Sequence, residues 1–428
     1  MADQTTTIPK GWKMTTLGEV ADVNPTEIIK IGTKAKYVGM ESLNPFTRKI
    51  SKFEIKDFSG GMKFRNGDIL LARITPCLEN GKTAFVDILE LNEVGFGSTE
   101  YIVIREIDKI SNKKFLYYLS ISPRFRELAI KSMTGTSGRQ RVQTDQLINE
   151  SLIIPDYSEQ RAIAAVLSSF DDKIELLREQ NKTLEAIAQT IFKEWFVNFN
   201  FPDADGKPYK TSGGKMIDSE LGAIPEGWRV GKIKDLIDIL SGFAFSSSDF
   251  SQDGEYKLVT IKNVQDRNFV FDITDKISEI PEKMPNYCKL DSGDILLSLT
   301  GNVGRVCLVI GNDFLLNQRV AKLKSKNEMD YAFSYLLFLQ DSIFYLLQSI
   351  ASGTAQQNLS PIQTKEIKII IADRKILDQF GMVANKLIQK INDNNSQIQT
   401  LSKLRDTLLP KLMKGEIRVK VLNYDFND

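Results

Sequence analysis

The sequence predicts an α+β protein with a pseudo-two-fold internal repeat, in which two similar globular domains are separated by two long antiparallel helices. Three observations predict this fold. The phrase "IPKGW" at Ile8 returns as "IPEGW" at Ile224, each half holds short β-rich runs with one apolar helix, and each half ends in a long helical pattern. Internal repeats are considered first because they decide the architecture of the whole chain.

Three further segments recur in the same order in the two halves. They are "NGDILLARITPCLENGKTAFV" from Asn66 with "SGDILLSLTGNVGRVCLVI" from Ser292, "FLYYLSISP" from Phe115 with "FSYLLFLQD" from Phe333, and "MTGTSGRQRV" from Met133 with "ASGTAQQNL" from Ala351. The period is about half of the chain, which indicates a duplicated pair rather than a solenoid of many short repeats. The order of segments predicts domain limits, which are 1–155 for domain 1, 156–198 for long helix 1, 199–221 for a linker, 222–372 for domain 2, 373–415 for long helix 2 and 416–428 for a C-terminal tail.

The two long helical segments have a heptad seam. Apolar residues recur at alternating steps of four and three from Ile163 to Trp195, and a matching seam runs from Phe380 to Leu412. The first seam would be roughly 50 Å long. Residues 156–221 hold 8 Lys and Arg against 12 Asp and Glu, and residues 373–428 hold 10 against 7, so opposite net charges favour pairing. A duplicated unit tends to associate about a two-fold axis, which predicts antiparallel helices; the alternative is that each helix packs only on its own domain.

Two asparagines interrupt the apolar seam, Asn181 in the first helix and Asn394 in the second. The antiparallel register places them opposite each other, so that each amide would offer the other a donor and an acceptor. The alternative is that one or both are exposed where the seam frays. Ser158 and Asp373 are the expected helix N-caps and Gly415 the C-cap, and Pro410 is expected to kink the second helix or end it one turn early.

Composition excludes several classes of function. The net charge of +1 excludes a uniformly basic binder, and the absence of histidine removes the commonest general base and zinc ligand. The three cysteines form no paired framework, and the N-terminus lacks a signal-peptide pattern, which together predict a cytoplasmic location. The apolar stretch from Tyr331 to Ile350 is interrupted by polar residues, so we expect a buried helix and no membrane span.

The motifs that resemble catalytic sites are incomplete. The segment "PCLENGKT" ends like a phosphate-binding loop but has Pro76 where that loop needs glycine. We therefore expect no catalytic residue, no metal site and no cofactor in this chain.

Polar loops in both domains are candidates for binding nucleic acid. Residues 1–155 carry 22 Lys and Arg against 18 Asp and Glu, whereas residues 222–372 carry 16 against 18 and have amide-rich loops. Arginine and lysine read guanine, asparagine and glutamine read adenine, and all of them contact phosphates. The candidates are Lys63, Arg65, Arg73, Lys82, Arg139, Arg141, Lys262, Asn263, Arg267, Asn302, Arg305, Gln318, Arg319, Gln356, Gln357 and Asn358. The alternative for any one of them is a solvated turn; because the loops differ, the two domains should not read the same sequence.

The chain resembles the specificity subunit of Type I restriction-modification systems. The doubled "IPxGW" start, "GDILLAR", "TGTSGRQR" and "IIPDYSEQRAIAAVLSSFDDKIELLREQNKTLE" carry this resemblance, which covers essentially the whole chain. It implies two target-recognition domains that each read one half of a split double-stranded DNA target. It also implies that the helices act as a spacer and dock two methyltransferase subunits, that motor-nuclease restriction subunits join them, and that catalysis resides in those partners.

Two alternatives to this function stay open on the sequence. One is a specificity subunit that serves a fused nuclease-methylase, and the other is a structural coiled-coil adaptor without a DNA role. The second half departs from the family pattern, because "DRKILDQF" stands where "SEQRAIAAVL" stands in the first half.

Overall fold

A computed structural model describes residues 8–136, 138–271, 273–353 and 357–419. The chain divides into two compact units. Unit 1 consists of two segments, the chain up to Leu176 and the chain from Gln399 onward, and unit 2 is Leu177–Ile398.

Unit 1 contains two four-stranded sheets. In the first sheet all neighbours are antiparallel, and the strand order is Ala21–Val23, Tyr101–Glu106, Ile69–Ala72 and Thr83–Phe85. In the second sheet the middle pair is parallel, and the order is Glu54–Asp57, Lys34–Val38, Gly95–Gly97 and Met62–Phe64. Two short antiparallel pairs join Lys13–Thr16 to Ser151–Ile154 and Met133–Thr134 to Arg141–Val142.

Unit 2 contains two sheets of the same topology. The antiparallel sheet has the order Ile237–Ser241, Val320–Ser325, Ile295–Ser298 and Val306–Leu308. The mixed sheet has the order Lys276–Ile277, Tyr256–Val259, Phe314–Leu316 and Lys289–Leu290, again with a parallel middle pair. Smaller pairs join Arg229–Lys232 to Lys368–Ile371, Met216–Ile217 to Ile224–Pro225, and Val264–Gln265 to Asn268–Phe269. The repeat predicted from the sequence is therefore confirmed in both four-stranded sheets and in the pair that joins the first strand of each unit to the strand before a long helix.

The helices follow the same repeat. The short helical segments of unit 1 are Leu17–Val20, Met40–Ser42, Lys113–Ile121, Pro123–Lys131 and Thr144–Asn149. Those of unit 2 are Lys193–Val197, Ile233–Leu236, Ser247–Asp249, Asn286–Cys288, Glu328–Asp330, Tyr331–Phe338, Asp341–Ile350 and Pro361–Lys365. The two long helices are Tyr157–Phe192 and Arg374–Met413.

The apolar stretch near the end of the second half forms two helices, and the expectation of a single helix is wrong. The chain leaves the helical conformation at Gln340, whose backbone is extended (φ −72°, ψ 134°), before the second helix starts. Most of the first of these helices is buried. In the part of the chain that the structure describes, no helix is long and apolar enough to cross a membrane.

The repeated "IPxGW" phrase is a tight turn that buries a tryptophan. In both copies the tryptophan N–H donates to the carbonyl of the proline, at 3.0 Å for Trp12 and 3.1 Å for Trp228. The glycine between them has φ of 84° at Gly11 and 87° at Gly227, a conformation that residues with a Cβ rarely adopt. The strand that follows each turn pairs with the strand that precedes a long helix. The phrase occurs twice because each domain begins with it, directly before the strand that pairs with the last strand of that domain.

The ends of the long helices differ in part from the sequence prediction. Asp373 accepts a 2.7 Å hydrogen bond from the N–H of Lys375, so its role as N-cap is confirmed. Ser158 is not a cap: Asp156 accepts from the N–H of Glu159 at 2.9 Å, and the Ser158 hydroxyl also donates to Asp156. Gly415 follows the second helix with φ of 69°, as expected of a C-cap. Pro410 lies inside the helix, which continues to Met413, so the expected early end is wrong.

In unit 1 the two helical segments run antiparallel and are joined by buried charges. The Asp171 carboxylate accepts 2.6 Å hydrogen bonds from Nη1 of Arg405 and from the hydroxyl of Tyr118. Twelve residues earlier on the first helix, Glu159 pairs with Arg418, which lies beyond the end of the second helix. Arg48 of the globular part pairs with Asp172 and Glu175. The first helix thus packs both on its own domain and on the second helix.

In unit 2 the pairing is antiparallel as well, and it is mostly aromatic and amide in character. The rings of Trp195 and Phe380, which the predicted register places opposite each other, have centroids 5.7 Å apart. Farther from this end, Nδ2 of Asn394 donates to Oδ1 of Asn181 at 2.8 Å. The expected reciprocal bond is absent from the described contacts, because Nδ2 of Asn181 donates instead to Oδ1 of Asn395 at 2.8 Å. Oδ1 of Asn394 is buried and has no hydrogen-bond partner within the described residues.

Candidate nucleic-acid interface

In unit 1, the end of a central strand and a polar loop lie side by side. We call residues 72–75 and 139–142 the first loop pair. The N–H of Thr75 donates to the carbonyl of Gln140 at 3.0 Å, and the N–H of Val142 donates to the carbonyl of Arg73 at 2.8 Å. These bonds hold Arg141 opposite Ile74 in a bridge. The strand that precedes the loop is fully buried, so the loop pair stands on a rigid base.

Unit 2 has the same arrangement in residues 298–301 and 357–359, which we call the second loop pair. The N–H of Gly301 donates to the carbonyl of Gln357 at 3.3 Å, and the N–H of Leu359 donates to the carbonyl of Leu299 at 2.8 Å. Thr300 and Asn358 form the bridge. The hydrogen bonds correspond one to one with those of the first loop pair, so Arg141 and Asn358 occupy equivalent positions.

In each unit, the residue just before a further strand accepts a backbone hydrogen bond from the loop pair. The N–H of Arg73 donates to the carbonyl of Glu100 at 2.9 Å, and the N–H of Leu299 donates to the carbonyl of Arg319 at 3.0 Å. Glu100 and Arg319 are therefore equivalent as well, and they carry opposite charges. In unit 2, Thr300, Gln318, Arg319 and Asn358 line a shallow cleft of about 400 Å³.

The electrostatics of the two loop pairs differ. Nε of Arg141 donates to both carboxylate oxygens of Glu100, at 3.0 and 2.9 Å, and Nη2 donates to one of them at 2.7 Å. These hydrogen bonds lower the pKa of Glu100 and raise the pKa of Arg141. The second loop pair has a neutral contact at the same point, where the Thr300 hydroxyl donates to Oδ1 of Asn358 at 2.9 Å.

Of the other candidates in unit 1, only some are available at the surface near the first loop pair. Arg139 is exposed and has no ion pair within the described residues. Arg73 is half-buried, and its Nη2 donates to the carbonyl of Val142. Lys82 donates to the carbonyl of Met40 at 2.8 Å.

Lys63 lies on the strand Met62–Phe64 and Arg65 directly follows that strand, so neither belongs to the first loop pair. The ammonium of Lys63 lies 5.5 Å from the ring centroid of Phe58. Arg65 pairs with Glu27, which also binds Arg105, so Arg65 belongs to a separate network of ion pairs. These hydrogen bonds lower the pKa of Glu27.

The unit 2 candidates also divide into exposed and engaged side chains. Exposed residues that the structure places in loops are Lys262, Asn302, Gln318, Arg319, Gln357 and Asn358. Arg267 pairs with Glu185 at 3.2 Å, and Arg305 pairs with Asp266 at 3.4 Å while stacking on Phe344. Gln356 lies outside the described residues.

Asn263 is inside the protein and is not available to DNA. Its side chain is 2% exposed, Oδ1 accepts from the N–H and the hydroxyl of Thr260, and Nδ2 donates to the carbonyl of Val270. An amide that stabilises its own turn in this way is typical of asparagine in loops.

Unit 1 also has a basic segment that is absent from the candidates predicted from polar loops. Residues 28–56 hold seven Lys and Arg against two acidic residues. Lys34, Lys52 and Lys56 are exposed on or beside the edge strand Glu54–Asp57. The charge pattern was the signal that could have found them, because this segment alone holds more net positive charge than the whole of residues 1–155. Glu100 and Thr300 were also missed, because only basic and amide side chains were taken as candidates. Thr300 begins the polar loop that holds the candidates Asn302 and Arg305.

Comparisons with known proteins agree with the resemblance stated from the sequence. Residues 9–186 and 225–397 match the family model of the Type I restriction modification DNA specificity domain. The chain is 28% identical over 419 residues to the Type I restriction enzyme HindI specificity subunit of Haemophilus influenzae, covering 85% of this chain and 90% of that protein. It is 30% identical over 315 residues to the Type I restriction enzyme MjaIX specificity subunit of Methanocaldococcus jannaschii, covering 72% and 70%.

A solved structure shows the same fold. The crystal structure of the S subunit of a Type I restriction-modification system from M. genitalium superposes with a TM-score of 0.58 and 18% identity, covering 96% of this chain and 98% of that one. Two matched domains, the relatives and the shared fold agree. The chain therefore belongs to the Type I restriction-modification DNA specificity family, and its two copies of the specificity domain serve DNA target recognition.

Proposed function

We propose that each globular domain, within residues 1–155 and 222–372, reads one half of a bipartite double-stranded DNA target through its loop pair. The observation that carries this proposal is the equivalence of the two loop pairs, which share their backbone hydrogen bonds but present different polar side chains. A common scaffold with unlike reading groups is what two unlike half-sites require. The exposed candidates Arg139, Arg141, Arg319 and Asn358 would supply contacts to bases and phosphates.

The exposed lysines of segment 28–56 fit a role in phosphate binding. The exposed lysines Lys34, Lys52 and Lys56 lie on or beside one edge of the mixed sheet of unit 1, and Lys56 pairs there with Glu54 at 3.1 Å. Such contacts give affinity that does not depend on sequence, and they fix the position of the duplex against the loops that read it. Domain 2 has a net charge of −2 from 16 basic and 18 acidic residues, so we expect it to contribute less to this general affinity.

Specificity subunits of this family are non-catalytic and work with methylase and restriction subunits. For this chain, we propose docking of two methyltransferase subunits on the long helices and association with motor-nuclease restriction subunits, in the cytoplasm. Apolar side chains that stay exposed on these helices support docking, namely Leu176 and Leu404 in unit 1 and Ile187, Met382 and Val383 in unit 2. The number of partners would differ if the chain served a fused nuclease-methylase, and the length of the partner chain distinguishes the two arrangements.

Selection from random DNA by the assembled complex tests the function. The chain is combined with its methyltransferase subunits, mixed with duplexes of random sequence, and the bound fraction is sequenced. We expect two short specified blocks separated by a spacer of fixed length. Enrichment of no sequence by a complex that is intact would contradict the proposal and favour the structural adaptor. The purified chain alone should transfer no methyl group and cleave no DNA.

A further inference from the structure

The two loop pairs present one side chain each at the same point of the fold. Arg141 lies opposite Ile74, and Asn358 lies opposite Thr300, in bridges flanked by equivalent backbone hydrogen bonds. Both side chains are exposed. In unit 1 the carboxylate of Glu100, beside the loop pair, accepts hydrogen bonds from the Arg141 guanidinium. In unit 2 the hydroxyl of Thr300, within the loop pair, donates to the Asn358 amide. This arrangement restricts the rotamers of the exposed side chain before DNA arrives, which lowers the entropy lost on binding.

Glu100 occupies one edge of the Arg141 guanidinium and leaves the other edge open. The edge formed by Nε and Nη2 is bound by the carboxylate, whereas Nη1 has no hydrogen-bond partner within the described residues. The open edge, formed by Nη1 and the second N–H of Nη2, has the two donors that match O6 and N7 of guanine. The ion pair has no net charge, which makes it a weak ligand for phosphate, so the geometry favours a base.

Thr300 orients the Asn358 amide in a corresponding way. Its hydroxyl donates to Oδ1 at 2.9 Å, and the backbone of Asn358 is held by hydrogen bonds in both directions with Ser352. Oδ1 keeps a second lone pair, and Nδ2 can donate, which is the pairing that reads N6 and N7 of adenine. A neutral amide contributes little to phosphate binding. Arg319, at the position equivalent to Glu100, is exposed and fits that role instead.

We infer that Arg141 reads a guanine in one half-site and Asn358 reads an adenine in the other, with Glu100 and Thr300 as their positioning residues. The inference rests on the proposed function, because it assumes that the loop pairs face DNA. It adds which residue reads a base in each domain, which base it reads, and which neighbour fixes its orientation. Neither neighbour needs to touch DNA for this effect.

Sequence selection by variants of the assembled complex tests the reading residues. Arg141→Ala should lower the preference for guanine at one position of one block by roughly 10-fold or more, and leave the other block unchanged. Asn358→Asp should move one position of the other block from adenine towards cytosine, because a carboxylate accepts from the cytosine amino group and cannot donate to adenine. Uniform weakening at every position would assign these residues to phosphates and overturn the inference.

Variants of the neighbours test positioning. Thr300→Val removes the hydroxyl at nearly constant shape, and Thr300→Ser keeps it, so only the former should weaken the preference at the Asn358 position. Glu100→Gln should relax the same position as Arg141→Ala, and adding it to Arg141→Ala should cause no further loss, since coupled residues are not additive. Glu127→Gln, which breaks an exposed ion pair with Lys131 elsewhere in unit 1, is the control and should change nothing.

The outcomes separate this inference from the function on which it rests. Failure of the wild-type complex to enrich a bipartite sequence contradicts the proposed function. A bipartite wild-type sequence that stays unchanged in Arg141→Ala and Asn358→Asp overturns the inference alone. Relaxation of a whole block by Glu100→Gln or Thr300→Val, or equal effects of the Val and Ser variants, would show a general structural role and overturn the assignment of positioning.

Discussion

Nδ2 of Asn394 donates a 2.8 Å hydrogen bond to Oδ1 of Asn181 across the paired helical segments of unit 2. Asn394 is fully buried, and its own Oδ1 has no partner within the described residues. A buried amide pair in an apolar seam favours one register over others, as single buried asparagines do in coiled coils. The amide pair therefore lowers the stability of the seam somewhat and fixes the alignment of the two segments.

Replacement of one amide should cost more than replacement of both. Asn181→Leu would leave Nδ2 of Asn394 without its acceptor, and we expect a loss of about 1–3 kcal/mol in the free energy of local opening. The double variant with Asn394→Leu should recover most of this loss, because no unpaired amide then remains at the fully buried position 394. Oδ1 of Asn395, which also loses its donor, is only half-buried. Hydrogen exchange of the amides around both positions measures the opening. Asn149→Ala, at an exposed helix end, is the control; a double variant that opens more than either single one would contradict the prediction.

The buried ion pair of unit 1 should be more sensitive to loss of one partner. Arg405→Met would leave the Asp171 carboxylate, which is 3% exposed, with the Tyr118 hydroxyl as its one remaining side-chain donor among the described residues. Removal of one partner of a buried pair typically costs about 3–5 kcal/mol. Adding Asp171→Leu should restore much of the stability, since no uncompensated charge then remains. The stability of both variants is measured by denaturant unfolding, monitored through the hydrogen exchange of backbone amides in unit 1.

A matched control uses an exposed ion pair of the same unit. Lys131→Met breaks the contact with Glu127, and both side chains are more than half exposed. Such pairs contribute little because water screens them, so this variant should unfold like the wild type. If Arg405→Met were equally silent, the buried pair would have no role in holding the helix against its partner.

The order of the secondary-structure elements was predictable because the same sequence segments recur in the same order in both halves of the chain. The matched segments fixed the duplication, and the heptad spacing placed Trp195 opposite Phe380, which the structure confirms. Strand pairing was not predictable in the same way, since short runs such as Met62–Phe64 and Gly95–Gly97 carry little periodicity and pair through long-range contacts. The N-cap is Asp156 and not Ser158, because the Asp156 carboxylate accepts from the N–H of Glu159 and the Ser158 hydroxyl itself donates to that carboxylate.

The candidate site was predictable by residue type but not by contact. Arg141 and Asn358 were selected as members of polar loops, and the repeat aligned those loops. Their partners Glu100 and Thr300 lie 41 and 58 residues away along the chain, so only the fold brings each pair together. The opposite error occurred at Asn263, where a polar residue in a polar turn is buried and bonds to its own loop.

The N-cap of the first long helix should make stability depend on pH at the acid end. Hydrogen bonds from the N–H of Glu159 and from Ser158 lower the pKa of Asp156 in the folded chain. A lowered pKa means that this contribution is complete above the unfolded value of about 3.9 and is lost as pH falls through the folded value. Asp156→Ala should cost about 1 kcal/mol at pH 7. Thermal unfolding from pH 7 to pH 3 measures the change, and Asp156→Asn, which caps without charge, should lack the acid-dependent part.

The exposed lysines of segment 28–56 give a prediction that is independent of sequence reading. Replacement of Lys34, Lys52 and Lys56 by Gln should weaken binding of the assembled complex to all duplexes alike. If each lysine neutralises one phosphate, the slope of log binding constant against log salt should fall by about 0.9 for each residue replaced, because fewer counterions are released. Binding to a specific and to a scrambled duplex, measured over a range of salt concentrations, gives both slopes.

The matched control for these lysines is Lys207→Gln with Lys210→Gln, two changes in the segment that joins the first long helix to the second "IPxGW" turn. The side chain of Lys207 is 66% exposed, so loss of its charge alone should disturb no packing. An equal fall in slope per lysine replaced in both sets would show that any surface charge acts on the DNA, and it would contradict a specific role for the sheet edge. A loss confined to the specific duplex would instead place the three lysines at base edges.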